Sequence, residues 1–139
     1  MVPDVKYLLD THAWLWALLG HARLGAGARR VLAKVGDDEP VGLAAISLKE
    51  ASWLLARGRV SIKRDPSAWA AWLRDAASAP GLDVLPLTVE VAIESERLPD
   101  DFPSDPADRL IAATARLHDL TLLTADRGLR ARTELRTLW

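Results

Sequence analysis

Cysteine is absent from the 139-residue chain, which excludes disulfides, thiolate metal sites and thiol nucleophiles and fits an intracellular, cytoplasmic address. Tyrosine and phenylalanine occur once each, so a core has to be built mainly from aliphatic side chains. No apolar run approaches the roughly 18 residues that span a bilayer, and no membrane association is expected. Met1 to Asp4 lead straight into a strand-like segment without a basic stretch, so no signal peptide is expected. An excess of one sign of charge is also missing. With 18 basic and 19 acidic residues, the overall balance is silent on nucleic acid, and only the placement of charges bears on it. What the chain does have is apolar mass. Half of it is hydrophobic, and leucine and alanine together supply 47 residues. That suffices for one helix-rich domain, 1–139, with a sizeable core.

Helical and strand signals alternate along the chain without repeat or linker. Lys6 to Leu9, closed by Asp10, reads as a buried strand, and Thr11 to Leu19 as a helix stopped by Gly20. A second helix fits Ala26 to Val35, and Val41 to Ala45 a second strand. Ser47-Leu48-Lys49-Glu50 has the S-x-x-E form of a capping box and predicts a helix start at that point. A helix from Pro66, a strand over Leu82 to Leu85 and a helix over Thr88 to Arg97 follow. After the turn-rich stretch 99–104, Asp105-Pro106 opens a helix to about Leu117, and Leu120 to Thr124 reads as a fourth strand before a short helical turn and a tail. Short, unbroken apolar strands joined by helical crossovers imply a mainly parallel sheet covered on both faces, a three-layer α/β/α sandwich.

That fold gives the acids a meaning. Carboxyl ends of parallel strands share one edge, and open α/β folds place their sites there. Asp10 and Asp126 follow the first and fourth strands, and Glu50 sits in the helix after the second. Asp105 and Asp108 open the helix that feeds the fourth strand, so their place at this edge is less secure. Carboxylates gathered within several ångströms must be protonated, solvated or neutralised by a cation. All-oxygen surroundings suit Mg²⁺ or Mn²⁺, ions that polarise phosphoryl oxygens and activate water. Each acid is equally well explained singly as a helix cap or first-turn acid. Capping and a metal site both stay open on pattern alone.

Leu8-Leu9-Asp10-Thr11-His12, Ser47-Leu48-Lys49-Glu50, Asp105-Pro106-Ala107-Asp108-Arg109 and Leu123-Thr124-Ala125-Asp126 occur in that order. Together they resemble the motifs of PIN-domain ribonucleases, and more closely those of the VapC-type toxins of toxin–antitoxin pairs. Spacings of 40, 58 and 18 residues between Asp10, Glu50, Asp108 and Asp126 carry the likeness over nearly the whole chain. The resemblance implies metal-dependent endoribonucleolytic cleavage by activated water. It makes Asp10 and Asp108 the principal Mg²⁺ ligands (Mn²⁺ being possible), with Glu50 and Asp126 completing the charge cage and Asp105 in reserve. Ala107 departs from the aromatic residue common at that point, which touches packing more than chemistry. The same resemblance implies an RNA substrate, a small antitoxin that occludes the site, and toxin dimers within a larger assembly.

Thr11, Ser47 and Thr124 lie near the acids and read either as donors that orient carboxylates or as caps and strand ends. His12 reads as a structural hydrogen bonder, and Arg109 as the partner of a nearby acid, positioning the helix. Arg57, Arg59, Lys63 and Arg64 read as solvated helix ends. Arg127, Arg130, Arg132 and Arg136 follow the last acid and are the candidate RNA-backbone contacts. Six tryptophans exceed what a small core needs; Trp14, Trp16 and Trp53 are assigned to the antitoxin groove or a dimer face.

Two other readings compete. One is a non-catalytic RNA-binding scaffold of the same family. The other is a receiver-like phospho-accepting domain, which needs a lysine beyond its last core strand; the lysines here are Lys6, Lys34, Lys49 and Lys63, none near it. Dinucleotide binding lacks its glycine fingerprint, since Gly25-Ala26-Gly27 opens a helix and follows no strand.

Overall fold

A computed structural model describes residues 4–139. Met1, Val2 and Pro3, part of the lead-in read above as lacking signal-peptide character, lie outside the described residues. Five short strands are present: β1 (Tyr7–Leu9), β2 (Val41–Ala44), β3 (Leu82–Leu85), β4 (Thr121–Leu123) and β5 (Thr137–Leu138). Every neighbouring pair is parallel, in the spatial order β3-β2-β1-β4-β5. Seven helices connect and cover them: α1 (Thr11–Leu19), α2 (Ala26–Leu32), α3 (Ala45–Ala56), α4 (Trp69–Ala77), α5 (Val89–Arg97), α6 (Pro106–Leu117) and α7 (Arg127–Arg130). The chain builds outward from β1 to β3, then crosses back to place β4 on the other side of β1. The carboxyl ends of β1 and β4 therefore flank the point where the winding reverses, the place where such folds open a crevice.

Alternation of side chains across each strand fills two cores. Leu8 and Leu122 point into a layer with Phe102, Ile111, Ala112, Ala115 and Leu129, built on α6, α7 and the loop after α5. Their neighbours Leu9 and Leu123, with Val41 and Leu43, point the other way onto Ala13, Trp14, Leu15, Ala28 and Ala51 of α1, α2 and α3. The expected α/β/α sandwich is thus present, with an all-parallel sheet.

Three local expectations change. The capping box at Ser47 does not form: β2 runs without a loop into α3, Ala44 stands at the N-cap, and no side chain caps the helix. Ser47 is therefore inside the first turn and fully buried. The helix expected from Pro66 starts as a 3₁₀ turn, Pro66–Ala68, capped by Asp65, before α4 begins. The tail, read as irregular, forms β5 beside β4. Two residues flanked by arginine and tryptophan carry no alternation to betray a strand; pairing with β4 is what makes it one.

Trp139 also explains Gly25 and Gly27. The Gly27 N–H donates to the Trp139 carbonyl at 3.0 Å. A Cβ on Gly25 would lie 2.5 Å from the Trp139 carbonyl carbon, and one on Gly27 2.5 Å from its oxygen. Only glycine lets the start of α2 approach the terminal strand this closely.

Candidate active site

Asp10, Glu50, Asp105, Asp108 and Asp126 all line one cleft of about 470 Å³ at the carboxyl edge of the sheet, with Thr11, His12, Trp16, Arg23, Ile111 and Ala125. The 105/108 pair, least secure from sequence, belongs to it because α6 begins at this edge and packs on the sheet beside Leu122.

Capping and clustering turn out to be compatible. Asp10 Oδ1 accepts from the Ala13 N–H at 2.8 Å, Asp105 Oδ1 from the Asp108 N–H at 3.0 Å and Asp126 Oδ1 from the Leu129 N–H at 3.0 Å. One carboxylate offers about four acceptor positions, so a cap leaves each acid free to act in the cleft as well. Glu50 and Asp108 cap nothing, and for Glu50 the capping explanation falls with the capping box.

The three hydroxyls read as orienting groups are all buried. Thr11 Oγ1 donates to Glu50 Oε1 and lies 2.9 Å from Ser47 Oγ. A threonine hydroxyl has one proton and a carboxylate only accepts, so Ser47 must donate to Thr11. The relay Ser47–Thr11–Glu50 aims the glutamate across from α3 towards the end of β1. Thr124 accepts from the Asp126 N–H at 3.1 Å, and its side chain also favours the ionised form of Asp10, so it acts on the acids after both β1 and β4.

Electrostatically the cleft is strained. Burial pushes the Asp108 carboxyl up to about 7, reinforced by Asp105, Asp126, Glu50 and Asp10. Burial also raises Asp10, against the hydrogen bonds from Thr124 and the Ala13 N–H. Among the lining residues Arg23 is the single lysine or arginine, and it forms no ion pair among the described residues. Nor are three His, Asp or Glu side chains among the described residues placed to hold a metal ion by themselves. The donor set fits an ion that takes one or two carboxylates and keeps water for the rest of its shell, as Mg²⁺ does.

Other expectations are corrected. Arg109 pairs with no acid: it donates to the carbonyls of Pro99, Phe102 and Pro103 at 3.1 Å, with a longer contact to Ser95. It thereby clamps the loop that delivers Asp105 and Asp108. The expected positioning of the helix start by Arg109 is thus met through loop carbonyls, which leave no trace in a sequence pattern, and through no acid among the described residues. Of the four arginines assigned to RNA, Arg127 and Arg130 are exposed on α7 beside Asp126. Arg132 is held by Glu134 at 2.8 Å and Asp101 at 3.0 Å, over the Phe102 ring. Arg136 pairs with Asp119 at 2.8 Å; both residues precede strands, which puts them at the opposite edge of the sheet.

Trp14 is 3 % exposed and belongs to the core, because the inward face of α1 carries it. Trp53 is exposed and lies between the Arg57 and Arg59 guanidiniums. His12 makes no side-chain hydrogen bond among the described residues; it is exposed and lines the cleft.

A parallel α/β domain with carboxylates clustered at its switch point offers oxygen donors suited to a hard divalent cation, and comparison with known proteins places the chain in a family. The chain belongs to the PIN-domain family, whose pattern matches residues 7–135. It is 34% identical over 134 residues to ribonuclease VapC22 of Mycobacterium tuberculosis, covering 95% of this chain and 97% of that protein. Its fold is similar to VapBC2 from Rickettsia felis, solved on a DNA fragment from its promoter, with TM-score 0.72, 17% identity, and coverage of 96% and 98% of the two chains. A toxin–antitoxin complex from Klebsiella pneumoniae gives TM-score 0.67, 18% identity, and coverage of 96% and 97%. PIN-domain nucleases of the VapC kind generally depend on divalent metal ions. No helix among the described residues is long and apolar enough to cross a membrane.

Proposed function

We propose that this protein is a Mg²⁺-dependent endoribonuclease and the toxin of a toxin–antitoxin pair, comprising one domain over 1–139. The observation that carries the reading is the cleft itself: five carboxylates without a paired cation, arranged so that Asp108 is driven towards neutrality when no ion is bound. Such a concentration of like charge destabilises the fold and has a use once a dication neutralises it. The relative named as a ribonuclease supports RNA as the substrate. The toxin–antitoxin complex of similar fold supports a small antitoxin partner.

Asp10 and Asp108 would hold the ion, with Glu50 and Asp126 completing the negative cage and Asp105 adjacent. Bound there, Mg²⁺ (Mn²⁺ is compatible with the same oxygens) polarises the phosphoryl group and increases the nucleophilicity of water. The chain's own contribution is orientation. Thr11 fixes Glu50, Thr124 acts on Asp10 and Asp126, and Arg109 fixes the start of α6. Arg127 and Arg130 are exposed on α7, the helix that Asp126 caps, and suit the RNA backbone as it leaves the site.

Purified protein should degrade total bacterial RNA in Mg²⁺, stop in excess EDTA, and lose on the order of a thousandfold in rate with Asp10→Asn. Cleavage that persists in EDTA, or at the wild-type rate in Asp10→Asn, refutes this reading.

A further inference from the structure

Beside the acids the cleft is lined by two ring side chains, His12 and Trp16. His12 and Trp16 stand four residues apart on α1, hence on one face of the helix, and their rings lie 5.7 Å apart at 57°. Gly20, at φ 63°, turns the chain back on itself, so that the His21 N–H donates to the Trp16 carbonyl at 2.9 Å. The His21 ring stacks on Trp16 at 5.4 Å and 24°. The Arg23 N–H donates to His21 Nδ1 at 3.0 Å, and the Arg23 guanidinium sits 5.9 Å from the Trp16 ring centre. From behind, Trp139 packs on Trp16 at 5.8 Å. Trp16 is therefore held between a histidine stack and the terminal strand, while His12 and Arg23 remain exposed in the cleft.

Trp139 packs against the core layer of α1, α2 and α3, but Trp16, His12, His21 and Arg23 belong to neither core layer. A polyanion whose phosphate reaches the acids must put the attached base against some wall. The π faces and the unpaired guanidinium on this wall are the groups that hold single-stranded nucleotides.

We propose that His12, Trp16 and Arg23 form a nucleotide subsite beside the scissile phosphate, with the base stacked on His12 and the Trp16 edge and Arg23 on a flanking phosphate. The subsite rests on the ribonuclease reading and adds to it the residues that would receive a base, which has to leave its own stack to occupy the shelf. Aromatic stacking discriminates weakly among bases, so any choice of sequence has to come from elsewhere on the RNA.

Two RNA probes separate the parts: a single-stranded oligoadenylate and an oligomer of equal length whose central nucleotides are abasic. Binding is measured in EDTA, which removes any metal contribution. Wild type should prefer the base-bearing oligomer, and His12→Ala should reduce that preference about tenfold. Arg23→Ala should weaken both oligomers alike and flatten their salt dependence. Both side chains are exposed, so thermal melts should match wild type. Trp16→Leu disturbs the packing of Trp139, and His12→Ala therefore carries the test. Equal wild-type affinity for the two oligomers, or His12→Ala and Arg23→Ala binding as wild type does, overturns the subsite. In the second case, continued Mg²⁺-dependent cleavage of total RNA leaves the ribonuclease reading standing. A wild type that cleaves no RNA overturns both.

Discussion

At the carboxyl edge of the sheet, Asp10, Glu50, Asp105, Asp108 and Asp126 share a cleft, and no ion pair among the described residues involves any of them. At the amino edge the same residue types are arranged in opposite fashion. Arg136 closes on Asp119 at 2.8 Å, and Arg116 joins Glu94 at 3.0 Å while donating to the Glu134 carbonyl at 2.9 Å. Charge at the amino edge is settled locally, in exposed pairs worth no more than about 1 kcal/mol each. Charge at the carboxyl edge is left unsettled, and the fold holds it in place with buried hydroxyls and an arginine clamp. A domain balanced overall at net −1 thus reserves its electrostatic strain for one place.

The contrast breaks most sharply in catalysis. If the acids work as one unit, Asp10→Asn and Asp108→Asn each lose on the order of a thousandfold in RNA cleavage, and the double variant falls little further. Losses that multiply in the double variant would mean the two acids act independently. Thr11→Val tests the supporting hydroxyls. It deprives Glu50 of its donor and Ser47 of its acceptor, and should cost about 10–100-fold in activity or metal affinity. An unchanged Mg²⁺ titration in a folded Thr11→Val protein would show that Glu50 needs no orienting.

Stability gives a smaller effect with a definite sign. Asp108 sits at about 7 in the folded protein against 3.8 when unperturbed, so the folded state prefers its protonated form. Its contribution is fully present below pH about 4 and is lost as pH rises towards 7. Metal-free wild type should therefore weaken over that window, by about 1 kcal/mol after allowance for solvent screening. Asp108→Asn should reduce the slope, leaving the share of Asp10, which burial also raises, and melt higher than wild type near neutral pH by several degrees. It should also lose the Mg²⁺ stabilisation, which for wild type reaches about 2.7 kcal/mol at a hundredfold excess over Kd. A metal-free Asp108→Asn protein that melts lower than wild type would make Asp108 a first-turn helix acid and nothing more.

The smallest effects separate the arginines. Replacing Arg127 and Arg130 by alanine should flatten the dependence of log K on log salt for RNA by about 1.4 units, roughly 0.7 for each phosphate contact on a single strand. Arg136→Ala should leave that slope alone and cost at most about 1 kcal/mol, measured by urea unfolding. Equal slopes for all three proteins would place the RNA away from α7.

The alternation of apolar strands with helices needed nothing beyond the chain, because both periodicities are local and the central strands β1, β2 and β4 bury nearly all their side chains. The acids were legible as well: Asp10 follows an apolar strand directly and Asp126 lies just beyond another, and that position sends them to the carboxyl edge. Other features were not local. Ser47 and Glu50 match a capping box letter for letter, yet β2 meets α3 without a loop and turns both residues inward to Thr11, 36 and 39 residues away in sequence. Arg109 looks like a partner for neighbouring aspartates and instead binds carbonyls whose positions depend on how the 99–104 loop closes. Arg132 and Arg136 sit in the same basic run as Arg127 and Arg130, but β5 carries Arg136 to the far edge. Gly25 and Gly27 read only as a helix start, and their close approach to Trp139 came from the tertiary structure. Sequence determined which residues could be strand, helix, cap or ligand, since those depend on neighbours a few positions away. Tertiary structure decided which charges would be paired and which left facing one another, because Coulomb energy depends on distance through space and on burial, and neither is written along the chain.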